Sequence, residues 1–478
     1  MLVRPVATAL MAIFAASPST ASSVIRYRAE DAASLVCDLL SDEGFGDQLL
    51  VPNEDNYEER VESWWSASSR LTPACIVQPK NTAHVSKIVR ILGSNSTAGF
   101  AVRSGGHSHW SGGSNVDNGV TIDLGLIKGT SYDAETGLAS VLPGGRWADV
   151  FKALEEHGVA VPGGRDGNYY TGRGGFGCDS IANVEIVLAD GSIVNANKDT
   201  HSDLLKALKG GSGNFGIVTR FDLNTFLAGN VWGGIRASEL SQGDAIAEAM
   251  TYNPGMSSDV VVAQVLVDTN GVERPPTSDQ ALQPAELFND FSVRPISDMA
   301  ETYVLPSGLH NVWFSLTFAN DVRIIKKAAS LQDTFVKELL EEIPPTELGT
   351  QNLFQPVPKL FADNGVARGG NVLGLDRNKE NSLMWLLACT VQTAEQEVLL
   401  HQKASAFAAA LEKYAKLIGG LREWRYLNYV DPSQKDPSQK DPILSYGSDN
   451  VKFLRKVSAK YDPKGLFQHR RKGGFKLP

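Results

Sequence analysis

The chain has 478 residues, of which 42% are hydrophobic and 21% are charged, and its formal net charge is -9. A chain of this length and composition is expected to fold into two or more packed domains. The acidic balance, with no basic run longer than a few residues, argues against nucleic acid and anionic membrane surfaces as partners.

The first residues are typical of a secretory signal. Arg4 gives a positive start, residues 6–16 form an apolar run, and Ser19-Thr20-Ala21 offers a small-residue cleavage site. A buried N-terminal helix is the alternative, and the shortness of the apolar run disfavours it. We therefore expect residues 1–21 to be removed and the mature protein to be secreted. No other segment reaches the roughly 18 apolar residues that a membrane-spanning helix needs.

An oxidising compartment permits disulfides and N-linked glycans. Cys37 lies in a helix-like run and Cys75 in a short apolar stretch, whereas Cys178 and Cys389 lie in segments that read as buried. We expect the latter two to be inert core thiols. Asn95 begins an N-x-T sequon in a polar turn, which predicts a glycan at this position.

Short strands and helices then alternate up to about residue 226. Apolar spacing predicts a helix over 82–92, a strand over 120–124 and a helix over 146–157. Residues 181–197 read as two strands joined at an Asp190-Gly191 turn. No G-x-G-x-x-G follows a strand with an acid about 20 residues later, so a nicotinamide dinucleotide site is not expected.

A glycine-rich turn follows the short apolar run 100–102, with the sequence Arg103-Ser104-Gly105-Gly106-His107-Ser108. Adjacent glycines let the backbone approach a ligand closely, and the N–H groups of a turn can bind phosphate oxygens. Arg103 is a candidate charge for such a phosphate, and His107 is the nucleophilic side chain of the turn. A purely structural turn is the alternative.

Three further glycine turns lie at predicted strand ends. They are Pro143-Gly144-Gly145-Arg146, Pro162-Gly163-Gly164-Arg165 and the run 210–219. Together, the four turns resemble the FAD-binding domain of the vanillyl-alcohol oxidase and p-cresol methylhydroxylase (PCMH) class, in its berberine-bridge-enzyme-like branch. The resemblance covers about residues 71–226 and returns in 424–478.

This resemblance implies an α+β protein that contains FAD. It implies a PCMH-type FAD-binding domain of two small α+β subdomains, and a substrate domain in which helices cover an antiparallel sheet. In this family the histidine of the turn is bonded to the 8α carbon of the flavin, so the resemblance assigns that role to His107. It also implies a Cys37–Cys75 disulfide. The cofactor-binding residues that it implies are Arg103, Ser104, Gly105, Gly106, His107, Ser108, Gly163, Gly164, Gly216, Ile217, Val218 and Asn428.

Two departures from the family concern the flavin. Bicovalent relatives carry a second link from a cysteine after the Pro-Gly-Gly turn, and the matching residue here is Asp166. We therefore expect mono-covalent FAD, held only through His107. Relatives also continue after Gly167 with a V-G-V-G-G-x-x-L-G-G-G segment that is absent here. A flavin-free binding protein is the alternative that this absence motivates.

The remaining chain is expected to form the substrate domain and a returning segment. Residues 260–267 and 312–319 read as strands, and 321–343 as a helix capped by Asn320. Thr393 and Gln396 form a capping-box signature for a further helix. The expected divisions are a signal peptide at 1–21, an N-terminal helical extension at 22–70, the FAD-binding domain at 71–226, the substrate domain at 227–420 and the C-terminal segment at 421–478.

The chemistry expected is that of an FAD-linked oxidase with oxygen as electron acceptor and a small hydroxylated secondary metabolite as substrate. A base must take the substrate's hydroxyl proton, and Tyr426 is the candidate if its surroundings lower its pKa. Asn428 would hold the flavin or orient the tyrosine. An oligosaccharide is the alternative substrate. A hydrolase is disfavoured because no G-x-S-x-G is present, and scattered histidines predict no metal site.

Overall fold

The computed structural model describes residues 32–94, 97–163, 176–239, 249–255, 257–434 and 441–478. The expected signal sequence, the sequon residue Asn95, Gly164 and Asp166 lie outside the described residues. Among the helices described, none combines the length and the apolar character needed to cross a bilayer.

The described residues form helices and strands in mixed order. The helices are α1 (32–40), α2 (Asp55–Glu62), α3 (Thr82–Ser94), α4 (Trp147–Glu155), α5 (Ser202–Leu208), α6 (Ile296–Thr302), α7 (Val322–Leu340), α8 (Lys359–Ala367), α9 (Ala394–Leu417) and α10 (Ser448–Tyr461). The strands are β1 (Leu49–Leu50), β2 (Cys75–Val77), β3 (Phe100–Arg103), β4 (Val120–Asp123), β5 (Thr130–Asp133), β6 (Leu138–Val141), β7 (Val159–Ala160), β8 (Ile181–Val187), β9 (Ile193–Asn197), β10 (Ile217–Asn224), β11 (Phe226–Leu227), β12 (Val231–Glu239), β13 (Ala249–Tyr252), β14 (Val261–Asp268), β15 (Glu286–Asn289), β16 (Ser292–Arg294), β17 (His310–Ala319), β18 (Gly349–Val357), β19 (Ser382–Val391) and β20 (Leu421–Arg422).

The first subdomain is a four-stranded sheet with the order β1-β2-β4-β3. Strands β2 and β3 both pair with β4 in parallel, and α3 packs an apolar face against the sheet. The predicted helix over 82–92 is confirmed as α3, which extends two residues further, to Ser94. The N-terminal extension adds β1, which pairs antiparallel with β2, so this segment is not purely helical.

The cysteines fall into the two predicted groups. Cys37 of α1 and Cys75 of β2 form a disulfide and are both buried in the core of the first subdomain. Cys178 and Cys389 are free thiols. Burial raises the pKa of the Cys178 thiol to about 12 and raises that of Cys389 further, so neither thiol ionises readily near neutral pH.

The second subdomain is an antiparallel sheet with the order β5-β6-β10-β8-β9, and α4 and α5 pack beside it. The predicted hairpin over 181–197 is confirmed as β8 and β9. Its turn closes with a hydrogen bond from Gly191 N to Leu188 O, and Gly191 has a φ of 79°. A left-handed φ of this kind favours glycine.

The substrate domain contains a larger antiparallel sheet with the order β15-β12-β14-β13-β18-β19-β17-β20, and β16 also pairs with β12. Helices α7 and α9 bury their apolar faces against it, which confirms the predicted fold class. The Thr393–Gln396 capping box is present at the start of α9. The predicted cap of α7 was wrong by one residue, because the Asp321 carboxylate accepts the Arg323 N–H there.

The C-terminal segment returns to both earlier parts of the molecule. Strand β20 pairs with β17, so the large sheet continues two residues past the expected boundary at 420. Helix α10 packs in the core of the second subdomain. Beyond it, Arg471 forms a parallel bridge with Phe100 and Lys472 N donates to Phe100 O, so the last residues lie along the edge strand β3 of the first subdomain.

Candidate active site

The predicted glycine turn begins where β3 ends, between the two small sheets. Gly106 is buried with a φ of 73°, whereas the Ser104 and His107 side chains are exposed. The turn packs on the second predicted turn. The Ser104 hydroxyl donates to Pro143 O, and Arg146 Nη1 donates to Gly105 O at 2.6 Å. The structure therefore brings two of the four glycine turns into direct contact.

Residues 65–69 of the N-terminal extension fix the shape of the loop that carries His107. Trp65 N donates to Gly106 O, the Ser66 hydroxyl to His109 O, and the Ser69 hydroxyl to the carbonyls of residues 108 and 110. The same segment bonds to residues 308 and 309, which lead into β17 of the substrate domain. This segment thus lies between the loop and the large sheet, a role that the sequence analysis missed.

The Arg103 side chain makes its hydrogen bonds within the first subdomain. Its side chain is fully buried, donates to the carbonyls of Arg60 and Ser63, and lies 3.6 Å over the ring of Trp64. Burial lowers the pKa of its guanidinium to about 9, against the favourable charge of Asp123. The predicted contact of Arg103 with phosphate stays a prediction. Arg146, which is exposed beside Gly105, is a second cation at the turn, and the Arg103 guanidinium itself lies against Gly106.

The other predicted cofactor residues lie on the second subdomain. A Cβ on Gly163 would come within 2.6 Å of the Trp147 ring, and one on Gly216 within 2.5 Å of Val187 O, so both positions need glycine for packing. Ile217 and Val218 begin β10. Strand β10 pairs with β8 from residue 217 but with β6 only from residue 221. Among the described strands, none covers the β6 side of these first residues.

A chain of aromatic rings links the glycine turn to the C-terminal segment. The Trp65 ring stacks on His107 with a centroid distance of 4.1 Å and an interplanar angle of 11°. Trp313 of β17 lies 5.8 Å from both Trp65 and Tyr429, and Tyr429 lies 4.9 Å from Tyr426. The structure therefore connects His107 and Tyr426 through three intervening rings, of which the sequence analysis identified none as part of the site.

His109, two residues after His107, is buried against the same chain. Its ring stacks on Trp313 at 4.6 Å, and it is 3% exposed. Burial lowers the pKa of His109 to about 3, Asp431 opposes this effect and His107 adds to it. Its imidazole is therefore neutral at pH 7. Within the described residues its Nε2 atom has no hydrogen-bond partner.

Tyr426 and Asn428 lie together at the far end of the chain of rings. Asn428 Nδ2 donates to the Tyr426 hydroxyl at 2.9 Å, so an orienting role for this residue is consistent with the geometry. Burial raises the pKa of Tyr426, and the neighbouring Tyr429 adds to the effect. This is the direction opposite to the one a base needs. The assignment of Tyr426 as the base stays a prediction.

The described residues fit a flavin dinucleotide. At the turn before His107, arginines take the space that a Cβ would fill: a Cβ on Gly105 would lie 3.0 Å from Arg146 Nη1, and one on Gly106 2.7 Å from Arg103 Nε. Two cations therefore lie against the backbone that would face a phosphate. The exposed His107 ring stacks on the buried Trp65 ring, which holds the imidazole in one orientation at the surface of the turn. Within the described residues, no group of three or more His, Cys, Asp or Glu side chains is placed to hold a metal ion.

Comparison with known proteins also indicates a protein that binds FAD. Residues 73–197 match the family described as FAD binding domain. The FAD-dependent monooxygenase sdcF of Emericella nidulans is 33% identical over 478 residues, which cover 93% of this chain and 98% of that protein. The FAD-dependent monooxygenase drtC of Aspergillus calidoustus is 32% identical over 482 residues, covering 94% and 91%.

Solved structures share the fold at low identity. The 6-hydroxy-D-nicotine oxidase of Arthrobacter nicotinovorans superposes with a TM-score of 0.70 at 17% identity, covering 88% of this chain and 96% of its own. The berberine bridge enzyme of Eschscholzia californica gives 0.68 at 15% identity, covering 93% and 99%. Glucooligosaccharide oxidase of Acremonium strictum gives 0.68 at 16% identity, covering 94% and 99%.

The matched domain and the relatives define an FAD-dependent oxidoreductase. The relatives align over nearly their whole length, so the assignment applies to the complete two-domain arrangement and not to the FAD-binding part alone. The chain belongs to the berberine-bridge-enzyme-like family of PCMH-type FAD-linked oxidoreductases.

Proposed function

We propose that this protein is a secreted oxidase that carries mono-covalent FAD on His107. It oxidises a small hydroxylated compound and passes the electrons to oxygen. When bound, FAD accepts a hydride from the carbon that bears the hydroxyl group. The protein must then bind the substrate, exclude water and accept the hydroxyl proton.

The observation that supports this proposal most directly is the position of His107. Its side chain is exposed on a glycine turn at the junction of the two FAD-binding subdomains. It faces the Trp65 ring, which contacts Trp313 of the substrate sheet. A cofactor bonded to His107 would therefore lie between the FAD-binding part and the sheet that is expected to select the substrate.

The rings behind His107 support an apolar substrate class. Trp65 and Trp313 are buried and Tyr429 is half-buried, so they form an aromatic wall behind His107 and not a surface lined with hydrogen-bonding groups. Such surroundings suit a flat or partly apolar molecule better than a fully hydroxylated sugar. Tyr426 stays protonated at neutral pH because its pKa is raised. It can therefore donate a hydrogen bond to a substrate oxygen, but it accepts a proton only if the bound complex lowers that pKa.

The visible spectrum of the purified protein, before and after acid precipitation, tests the covalent flavin. We expect yellow colour that stays with the precipitated wild-type chain and is released from His107→Ala. His157→Ala is the control, because His157 is an exposed histidine that follows α4 in the second subdomain, away from the turn, and should leave the linkage intact. A colourless wild-type protein that takes up no added FAD would refute the oxidase and support a flavin-free binding protein.

Monooxygenation is the second candidate, because the relatives sdcF and drtC are named FAD-dependent monooxygenases. Turnover under ¹⁸O₂ separates the two reactions. An oxidase releases one peroxide per product and leaves no label in the product, whereas a monooxygenase transfers one labelled oxygen atom. A panel that contains phenolic alcohols and oligosaccharides then separates the proposed substrate class from its carbohydrate alternative.

Export is proposed from the N-terminal sequence and is supported by the Cys37–Cys75 bond, since disulfides persist in oxidising compartments. Expression of the full chain in a secreting host tests it. We expect protein in the medium whose N-terminus follows Ala21, and a mass loss on glycosidase treatment that Asn95→Gln abolishes. Retention of the intact N-terminus inside the cell would contradict the proposal.

A further inference from the structure

The last residues of the chain place three cations beside the loop that carries His107. Arg471, Lys472 and Lys476 lie on the segment that follows α10 and runs along β3. Lys476 Nζ donates to the carbonyls of Phe467 and Gly473, both at 3.0 Å. Within the described residues, no carboxylate forms an ion pair with any of the three. The charges that perturb the pKa of Lys476 are those of Arg471 and Lys472, both positive.

The Arg471 guanidinium lies between two glycine backbones. A Cβ on Gly213 would come within 2.4 Å of it, and one on Gly474 within 2.9 Å, so only glycine allows this approach from either side. Gly474 has a φ of 75° and Ser212 a φ of 60°, both in the left-handed region. The turn at 212–213 and the tail are thus shaped around this one side chain.

Most donors of Arg471 remain available. A guanidinium has five N–H groups, and Arg471 uses Nη1 to donate to Gly213 O at 3.2 Å. In the described part of the chain the side chain makes no other hydrogen bond, and its nitrogens are not among the fully enclosed polar atoms that lack a partner. Burial lowers its pKa to about 10. A largely desolvated guanidinium with accessible donors and no carboxylate partner is well suited to a phosphate group.

The tail also contacts the loop on which His107 lies. A Cβ on Gly473 would be 2.2 Å from Gly113 O, and the Phe475 ring lies 6.0 Å from that of Trp110. The cations are therefore held against the second half of the loop whose first half carries His107. A phosphate bound at Arg471 would therefore lie beside the loop that carries His107.

We propose that Arg471, supported by Lys472 and Lys476, binds the diphosphate of FAD between the turn 210–214 and the loop 110–113. This inference rests on the proposed function, because it requires FAD at His107. It assigns part of the cofactor's affinity to the last eight residues of the chain.

Equilibrium binding to a non-covalent background tests the proposal. In apo His107→Ala, FAD and riboflavin are titrated separately, and bound flavin is followed by fluorescence. Riboflavin lacks the diphosphate. We expect Arg471→Gln to weaken FAD roughly ten- to a hundredfold, as the loss of a charge-assisted hydrogen bond predicts, and to leave riboflavin unchanged. Lys464→Gln, which removes an exposed cation of the same segment, is the matched control. Equal FAD affinity with and without Arg471→Gln would overturn the proposal.

Two further measurements test the proposal even if Arg471→Gln folds poorly. In His107→Ala itself, FAD affinity should fall as the salt concentration rises while riboflavin affinity stays constant; parallel behaviour of the two ligands would count against a charged diphosphate site. Arg471→Lys keeps the charge, so its FAD affinity in the His107→Ala background should lie between that of His107→Ala alone and that of Arg471→Gln in the same background.

Pyrophosphate separates the possible sources of the anion. If wild type and His107→Ala bind no flavin, the proposed function fails and so does the assignment to FAD. If pyrophosphate binds the FAD-saturated protein and this binding is lost in Arg471→Gln, the site takes a separate phosphate compound and the assignment to FAD is overturned. Pyrophosphate that competes with FAD in His107→Ala would support it.

Discussion

The buried His109, two residues after His107, gives a prediction that needs no substrate. Burial lowers the pKa of His109 from 6.5 to about 3. Between these values the unfolded chain binds a proton that the folded chain does not, so the free energy of unfolding decreases as the pH falls through this range. At pH 4.5, two units below 6.5, the loss amounts to about 3 kcal/mol.

The perturbation is His109→Phe, which keeps a ring against Trp313 and removes the titration. Urea unfolding at pH 7.5 and pH 4.5 compares the variant with the wild type. We expect the wild type to lose about 3 kcal/mol more than the variant over this interval. His157→Phe, at an exposed histidine, should follow the wild type.

A direct measurement accompanies the stability data. In wild-type protein with ¹³C-labelled imidazoles, the spectrum contains signals from eight histidines. The signal of His109 is identified by its absence in His109→Phe. In the wild type, that signal should keep the chemical shift of a neutral imidazole down to pH 4.5. A midpoint near pH 6.5 for that signal, or equal acid sensitivity of variant and wild type, would show that His109 is not enclosed as described.

Three further variants test other features. Replacing both Cys37 and Cys75 by serine opens a link between residues 38 positions apart and should cost about 4 kcal/mol, measured by urea unfolding; no change would mean that the bond is not formed in the protein. Burial and two cations lower the pKa of Lys476 to about 7, so between pH 7 and 10.5 the unfolded chain binds a proton that the folded chain does not, and the free energy of unfolding rises with pH. Lys476→Met should remove this rise in the apo-protein; an unchanged pH slope would contradict it. Thr393→Ala should cost about 1 kcal/mol through loss of the cap of α9, and Thr393→Ser should restore most of it.

The parts of the fold that the sequence predicted are those set by local patterns. The hairpin of β8 and β9 follows from two apolar runs around Asp190-Gly191, and the start of α9 follows from the Thr393–Gln396 spacing. These features depend on residues only a few positions apart. The cap of α7 shows the limit of such patterns, because Asn320 and Asp321 are both good caps and only the backbone geometry selects Asp321.

The arrangement around His107 depends on contacts between distant segments. Trp65 and Trp313 are 248 positions apart in the sequence, and neither belongs to a recognisable motif. The phosphate contact of Arg103 stays a prediction that rests on its charge; only the packed structure shows that its guanidinium also lies over Trp64 and at the end of α2. Glycine turns identified where the site lies, but only the packed structure identified the rings that face it.

The bridge between Phe100 and Arg471 affects how the protein can be made. The ribosome synthesises the strands of the first subdomain early, yet β3 receives its neighbour Arg471 only after about 370 further residues have been made. Until then β3 has an exposed edge, a feature that promotes aggregation of incomplete chains. A tag placed close to residues 471–476 would lie beside this contact. Purification handles are therefore better placed elsewhere in the chain.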